Sequence, residues 1–158
     1  MQNNQQKLEK YEGEKSEKLR HGRGRQYYQN NEIYEGEWLN DKRHGYGILK
    51  DSNGEIYNGD WENDMFCGQG RLRNKNCELL TKEFDFKNFE NLKNYWVNYS
   101  GEFQNNQLHG LGTLILSNGQ KFLGQFSEGK VHGEGTFYRQ TGEIEVGFWQ
   151  NNKYIGKL

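Results

Sequence analysis

Four histidines, His21, His44, His109 and His132, are the side chains best suited to bind a metal or move a proton, and all four stand in one context, His-Gly-x-Gly. A zinc ion needs ligands that converge to within about 2.1 Å of one point. His21 and His44 are 23 residues apart, as are His109 and His132, so in a repeating strand array they would lie on successive hairpins about 10 Å apart. They would never converge. The carboxylate pairs Glu12/Glu14, Glu35/Glu37 and Asp60/Glu62 have the spacing of an acid and a base on one strand face, but they recur at the same interval and read as solvated strand faces. Cys67 takes the histidine position in Cys67-Gly68-Gln69-Gly70 and reads as a packing residue. No Gly-x-Gly here extends to the phosphate-binding GxGxxG at a strand-to-helix turn. Catalytic residues, cofactors and metals are expected to be none, and the chain is expected not to be an enzyme.

Lys15, Lys18, Arg20, Arg23 and Arg25 form the one basic stretch, a candidate contact for anionic lipid. The formal net charge is only −1, which supplies no long-range field for nucleic acid, so no nucleic-acid partner is expected. Asn98-Tyr99-Ser100 matches a glycosylation sequon, but the polar start Met1–Gln6 has no apolar stretch of a secretion signal. With only two cysteines, Cys67 and Cys77, the expected setting is intracellular and reducing.

The elements that would position these residues follow from the spacing of glycine and aromatic residues. The chain has 158 residues, 21 glycines, no proline, 15% aromatic residues and a mean hydropathy of −1.20. So few aliphatic side chains cannot fill a central core, yet disordered chains lack so many rings. Tyr11-Glu12-Gly13-Glu14 recurs with substitutions from residues 34, 57, 99, 122 and 145, and ten residues after the starts at 11, 34, 57, 99 and 122 comes the His-Gly-x-Gly block or its Cys67 variant. Asn40-Asp41, Asn63-Asp64, Asn105-Asn106 and Asn151-Asn152 fall between the blocks as turn residues, and Asn53-Gly54 and Asn118-Gly119 turn one repeat into the next. Each repeat reads as a β-hairpin. The expected fold is all-β, an elongated single-layer antiparallel meander of stacked hairpins on the order of 60 Å long, in which rings pack over glycine notches.

These blocks resemble the membrane occupation and recognition nexus (MORN) repeat, Tyr-x-Gly-x-Trp, a turn, then His-Gly-x-Gly, over residues 11 to 74 and 99 to 156. The resemblance implies a hairpin array with a groove, used as a scaffold or dimerisation surface in cilia, cell cortex or membrane junctions. It implies no catalysis by the repeats.

The expected organisation is a disordered tail over 1–10 and repeats at 11–33, 34–56, 57–79, 99–121, 122–144 and a partial 145–158. Residues 80–98 read as a degenerate, shortened copy, because the interval from 57 to 99 is 42 residues and no glycine occurs from 71 to 100. A short helix is the alternative, since Phe86, Phe89, Leu92 and Trp96 are spaced three, three and four apart. Either form would interrupt the regular groove and offer Phe86, Phe89, Tyr95 and Trp96 as a partner site.

One strand face would carry Tyr34, Trp38, Tyr57, Trp61, Tyr99, Phe103, Phe122 and Phe126, more apolar surface than a single sheet layer covers, and this aromatic face is the expected protein-binding site. The functional expectation is a scaffold subunit that docks onto protein partners, a second copy or other MORN proteins among them. Thirty-one Asn and Gln with no proline hint at an AT-rich protist genome, and by analogy the place is a ciliary axoneme, for instance near a radial spoke. The alternative is a peripheral membrane or phosphoinositide-binding adaptor at the cell cortex.

Overall fold

The computed structural model describes residues 9–158, and these form one antiparallel sheet of twelve strands in which every strand pairs with its neighbours in sequence. The six hairpins are β1–β2 (Lys10–Ser16, Leu19–Tyr27), β3–β4 (Ile33–Leu39, Lys42–Lys50), β5–β6 (Glu55–Glu62, Met65–Asn74), β7–β8 (Trp96–Gln104, Gln107–Leu116), β9–β10 (Lys121–Ser127, Lys130–Tyr138) and β11–β12 (Ile144–Gln150, Lys153–Lys157). The meander expected from the repeats is present. Of the expected tail, residues 1–8 lie outside the described residues, and Lys10 opens β1.

Asn40 and Asp41 (φ 49° and 66°) close the second hairpin, and both central residues of every other hairpin turn likewise have positive φ. This is the geometry whose twist suits antiparallel strands, and asparagine and aspartate tolerate it because their short polar side chains bond locally. The turn residue also grips the preceding hairpin: Asp41 N–H donates to Arg20 O (3.0 Å), and Asp41 Oδ1 accepts from Arg20 N–H (2.7 Å). Asp64 with Arg43, Asn106 with Phe66 and Asn152 with Val131 repeat this pair of bonds. Register is thereby fixed between hairpins as well as within them.

A row of directly paired glycines crosses the sheet from Gly13 in β1 through Gly24, Gly36 and Gly47 to Gly147 in β11. The rings lie over this row. A Cβ on Gly47 would collide with the Tyr34 ring and hydroxyl, so the bare backbone is what lets the ring lie flat. Each fifth-position ring then meets the first-position ring of the hairpin before it edge-to-face, as in Tyr34–Trp61 at 5.1 Å and Tyr99–Phe126 at 5.0 Å.

The stretch 80–98 is neither a decayed hairpin nor a helix. β6 pairs directly with β7 through Leu72↔Tyr99 and Gly70↔Gly101, the register that Leu49↔Tyr57 and Gly47↔Gly59 set between β4 and β5. The interval of 42 is therefore one period plus a 19-residue insertion in a linking turn. The sheet continues without a break, Trp96–Asn98 belong to β7, and the only helical piece is a 3-10 turn at Phe89–Asn91. Phe84, Phe86 and Phe89 of the insertion are buried in the same cluster as Phe122, Phe137 and Trp149, so it lies as a partial second layer over the C-terminal half of the aromatic face.

Candidate functional site

The carboxylates of the first block are structural. Glu37 accepts from Tyr46 N–H (3.3 Å), Glu102 from Leu111 N–H (3.0 Å) and Asp60 from Gln69 N–H (2.9 Å), and Gln125 does the same for Glu134 N–H (3.0 Å). Each receives a backbone donor freed by the bulge at the His-Gly step, where Gly45 and Gly110 have φ of 59° and 52°.

The aromatic residues expected to face partners are instead the core. Tyr34, Trp38, Tyr57, Trp61, Tyr99, Phe103, Phe122 and Phe126 are only 0–4% exposed. Single-layer sheets usually leave one apolar face open; here the rings cover one another, and cations close the remaining gaps. The Arg20 guanidinium lies 4.1 Å from the Trp38 ring centroid and Arg43 lies 4.4 Å from that of Trp61, each held by the turn aspartate of the next hairpin. The tyrosine hydroxyls are occupied as well: Tyr34 donates to Glu37 O (2.9 Å), Tyr57 to Asp60 O (2.8 Å) and Tyr99 to Glu102 O (2.9 Å). Burial pushes all three phenols well above the ordinary tyrosine range.

Of the four candidates in 86–96, Phe86 and Phe89 are corrected similarly, while Tyr95 and Trp96 are half-buried. Phe86 and Phe89 point into the core, and Tyr95 N–H bonds Leu92 O in the turn before β7. Trp96 alone lines an open cleft, an apolar cavity of about 270 Å³ shared with Leu72, Leu92, Phe103 and Leu108.

The basic stretch makes no single surface. Arg20 lies on the aromatic face against Trp38 and Asp41, Lys18 stands in the hairpin turn, and Arg25 pairs with Glu35 on the opposite face. Arg23 and Arg25 line a cavity of about 410 Å³ together with Glu12, Glu35 and Glu37. Local neutralisation of this kind removes the dense positive field that an anionic membrane would read.

The histidines stand on four separate hairpins, in β2, β4, β8 and β10. His132 Nδ1 accepts from Asn151 N–H (3.4 Å) of the following hairpin. Among the described residues no three His, Cys, Asp or Glu come close enough to hold a metal ion. Burial raises the Cys67 thiol above its ordinary range, which disfavours the thiolate.

The outer face, opposite the rings, changes character along the array. Its N-terminal part carries the ion-paired Glu12, Arg25 and Glu35 beside the exposed Tyr46 and Ile48. In the C-terminal half Thr113, Leu123, Thr136 and Val146 stand side by side on β8–β11, and Leu111, Leu123, Ile144 and Val146 are 43–61% exposed. Sequence reasoning placed the apolar surface on the ring face. The signal that could have found the other face is that, of the residues flanking Gly112, Gly124, Gly135 and Gly147, Glu134 alone is charged.

An unbroken stack of hairpins paired in sequence order defines a repeat protein. A family model for the MORN repeat matches residues 11–33, 34–56, 57–76, 99–121 and 122–144, more than half of the chain, and the chain belongs to that family. The third match stops at residue 76, where the insertion begins. A search of curated proteins returned no match. MORN repeats mark a repeat protein of protein or membrane interactions, and proteins built of them are in general non-catalytic scaffolds.

Proposed function

We propose that this chain is a non-enzymatic scaffold subunit that docks onto a protein partner through the outer face of its C-terminal half, within a cytoskeletal assembly of the ciliary axoneme such as the radial spoke. The observation that carries the docking reading is the exposed set Leu111, Leu123, Ile144 and Val146 on one face of a sheet whose other face is filled. Exposed contiguous apolar side chains of this kind mark interaction surfaces. The axonemal placement rests on the family analogy and on the Asn- and Gln-rich, proline-free composition.

Purified chain mixed with isolated axonemes tests both parts. Leu111→Asp with Leu123→Asp is expected to lower binding at least about tenfold while leaving the melting temperature within a few degrees, since both side chains are exposed. Binding that survives the pair rules out this face. Wild-type chain that sediments apart from axonemes rules out the placement.

A further inference from the structure

The two ends of the array are unlike, and the difference lies in a few residues. Within the array a following hairpin docks by two devices: its turn residue bonds the outer edge of the preceding strand, as Asp41 does at Arg20, and its fifth-position ring packs on the first-position ring before it, as Trp38 does on Tyr11 at 5.6 Å. At the C-terminal end the edge residue equivalent to Arg20 is Tyr154 of β12. Its N–H is bonded by Lys87 O of the insertion (3.0 Å), Phe89 N–H donates to Asn152 O (2.8 Å), and Asn88 bridges Lys153. The insertion thus stands where the turn of a seventh hairpin would dock.

The rings are replaced at both ends, in complementary fashion. Glu145 occupies the first position held elsewhere by Tyr11, Tyr34, Tyr57, Tyr99 and Phe122, and Lys15 occupies the fifth position held by Trp38, Trp61, Phe103, Phe126 and Trp149. If β1 of a second copy continued the register that pairs Gly22 with Trp38 and Arg23 with Glu37, its Lys15 would fall opposite Gly156 and its Glu14 opposite Lys157. Lys15 would then meet Glu145 where every internal junction has two rings. The place is open: a cavity of about 480 Å³ lies before Glu145, lined by Arg139, Tyr154, Gly156 and Lys157, with Phe86 and Lys87 as its far wall. Arg139 is shared among Glu83 (2.7 Å), Glu143 (3.3 Å) and Glu145 (3.5 Å), so Glu145 has only a part share of one guanidinium, and Lys157 and Lys87 stand at the same cavity. Among the described residues no strand pairs with the outer edge of β1.

We propose that the outer edge of β12 is a docking site for β1 of a second copy of this chain, joined by Lys15–Glu145 and Glu14–Lys157 pairs, and that residues 77–95 hold this site closed. The surfaces are heterologous, so the assembly is head-to-tail and open-ended. It rests on the repeat register and not on the docking face proposed above.

Removing residues 77–95 with Trp96→Gly leaves the link Asn74-Lys75-Asn76-Gly, a copy in length of Asp51-Ser52-Asn53-Gly54 between β4 and β5. In sedimentation velocity the complete chain is expected to stay monomeric and the shortened chain to associate at least about tenfold more tightly, with mass growing with concentration. Lys15→Glu in the shortened chain should return it to monomer, and Lys15→Glu with Glu145→Lys should restore assembly. A folded shortened chain that stays monomeric, or aggregates indifferent to both charges, overturns the proposal. Should the shortened chain fail to fold, Glu83→Ala with Glu90→Ala removes the insertion's ion pairs to Arg139 and Lys153 and keeps its rings. Faster amide exchange at Tyr154 with charge-sensitive association is then expected; unchanged exchange, or exchange without association, overturns it.

Discussion

At the scale of single residues, the recurring positions of the repeat serve backbone needs. Tyr34 lies over Gly36 and Gly47 and donates to Glu37 O, while the Glu37 carboxylate receives the N–H of Tyr46. Gly110→Val should therefore be among the most damaging changes: the position has φ 52° and its missing Cβ faces the Glu102 carboxylate. A loss on the order of 3 kcal/mol is expected in urea melts, against about 1 kcal/mol for Gly119→Ala, where φ is 86° and nothing lies within 4 Å. An equal cost for both would contradict the close approach of the Glu102 carboxylate to Gly110. The buried phenols also set an alkaline limit. Because the folded-state pKa values of Tyr34, Tyr57 and Tyr99 are raised, above all by burial, the neutral form is favoured on folding; that stabilisation is complete below the unfolded tyrosine pKa of about 10 and declines as pH rises past it. Thermal melts should lose stability above pH 10, and replacing all three by Phe, as nature does at Phe122, should flatten that loss at about 1 kcal/mol per hydrogen bond near neutral pH.

At the scale of elements, the hairpin turns explain both the sheet and its weakest member. Five of the six turns carry asparagine or glycine in at least one left-handed position, but the first uses Glu17 (φ 49°) and Lys18 (φ 75°), residues that tolerate this region poorly. Glu17→Asn with Lys18→Gly should stabilise the protein by roughly 1–2 kcal/mol, read as a higher melting temperature. No gain would mean that the first hairpin lies outside the cooperative unit. The insertion is the element of opposite kind, with little regular structure and many anchors: Glu83 on Arg139, Phe84 N–H on Gln120 Oε1 (2.7 Å) and Trp149 Nε1–H on Phe86 O (2.8 Å).

At the scale of the whole molecule, order should rise from the N-terminal to the C-terminal half. β1 is almost wholly exposed, whereas β9–β11 have the insertion packed over their rings. In a quasi-linear array that gradient should appear as faster amide exchange in β1–β2 than in β9–β11. Phe89→Ala, which empties the contact with Phe122, Phe137 and Trp149, should cost about 3–5 kcal/mol and raise exchange in β9–β12 before β3–β4. Uniform exchange along the array would sink this picture.

Much of this was legible in the sequence, because repeat register is a local property. Glycine at fixed intervals, Asn-Asp turns and alternating rings dictate hairpins of one length in one order, and the family resemblance and the antiparallel meander follow from those residues alone, whereas the degenerate copy expected at 80–98 is not formed. What tertiary structure decided is where surfaces end. The interval before Tyr99 does not say whether its extra residues pair or cross over, since Phe84, Phe86 and Phe89 reveal their role only beside Phe137 and Trp149, more than 45 residues away. The rings read as a binding face because a sequence shows which side chains share a side but not how completely edge-to-face packing, two arginines and a folded-over loop remove them from water.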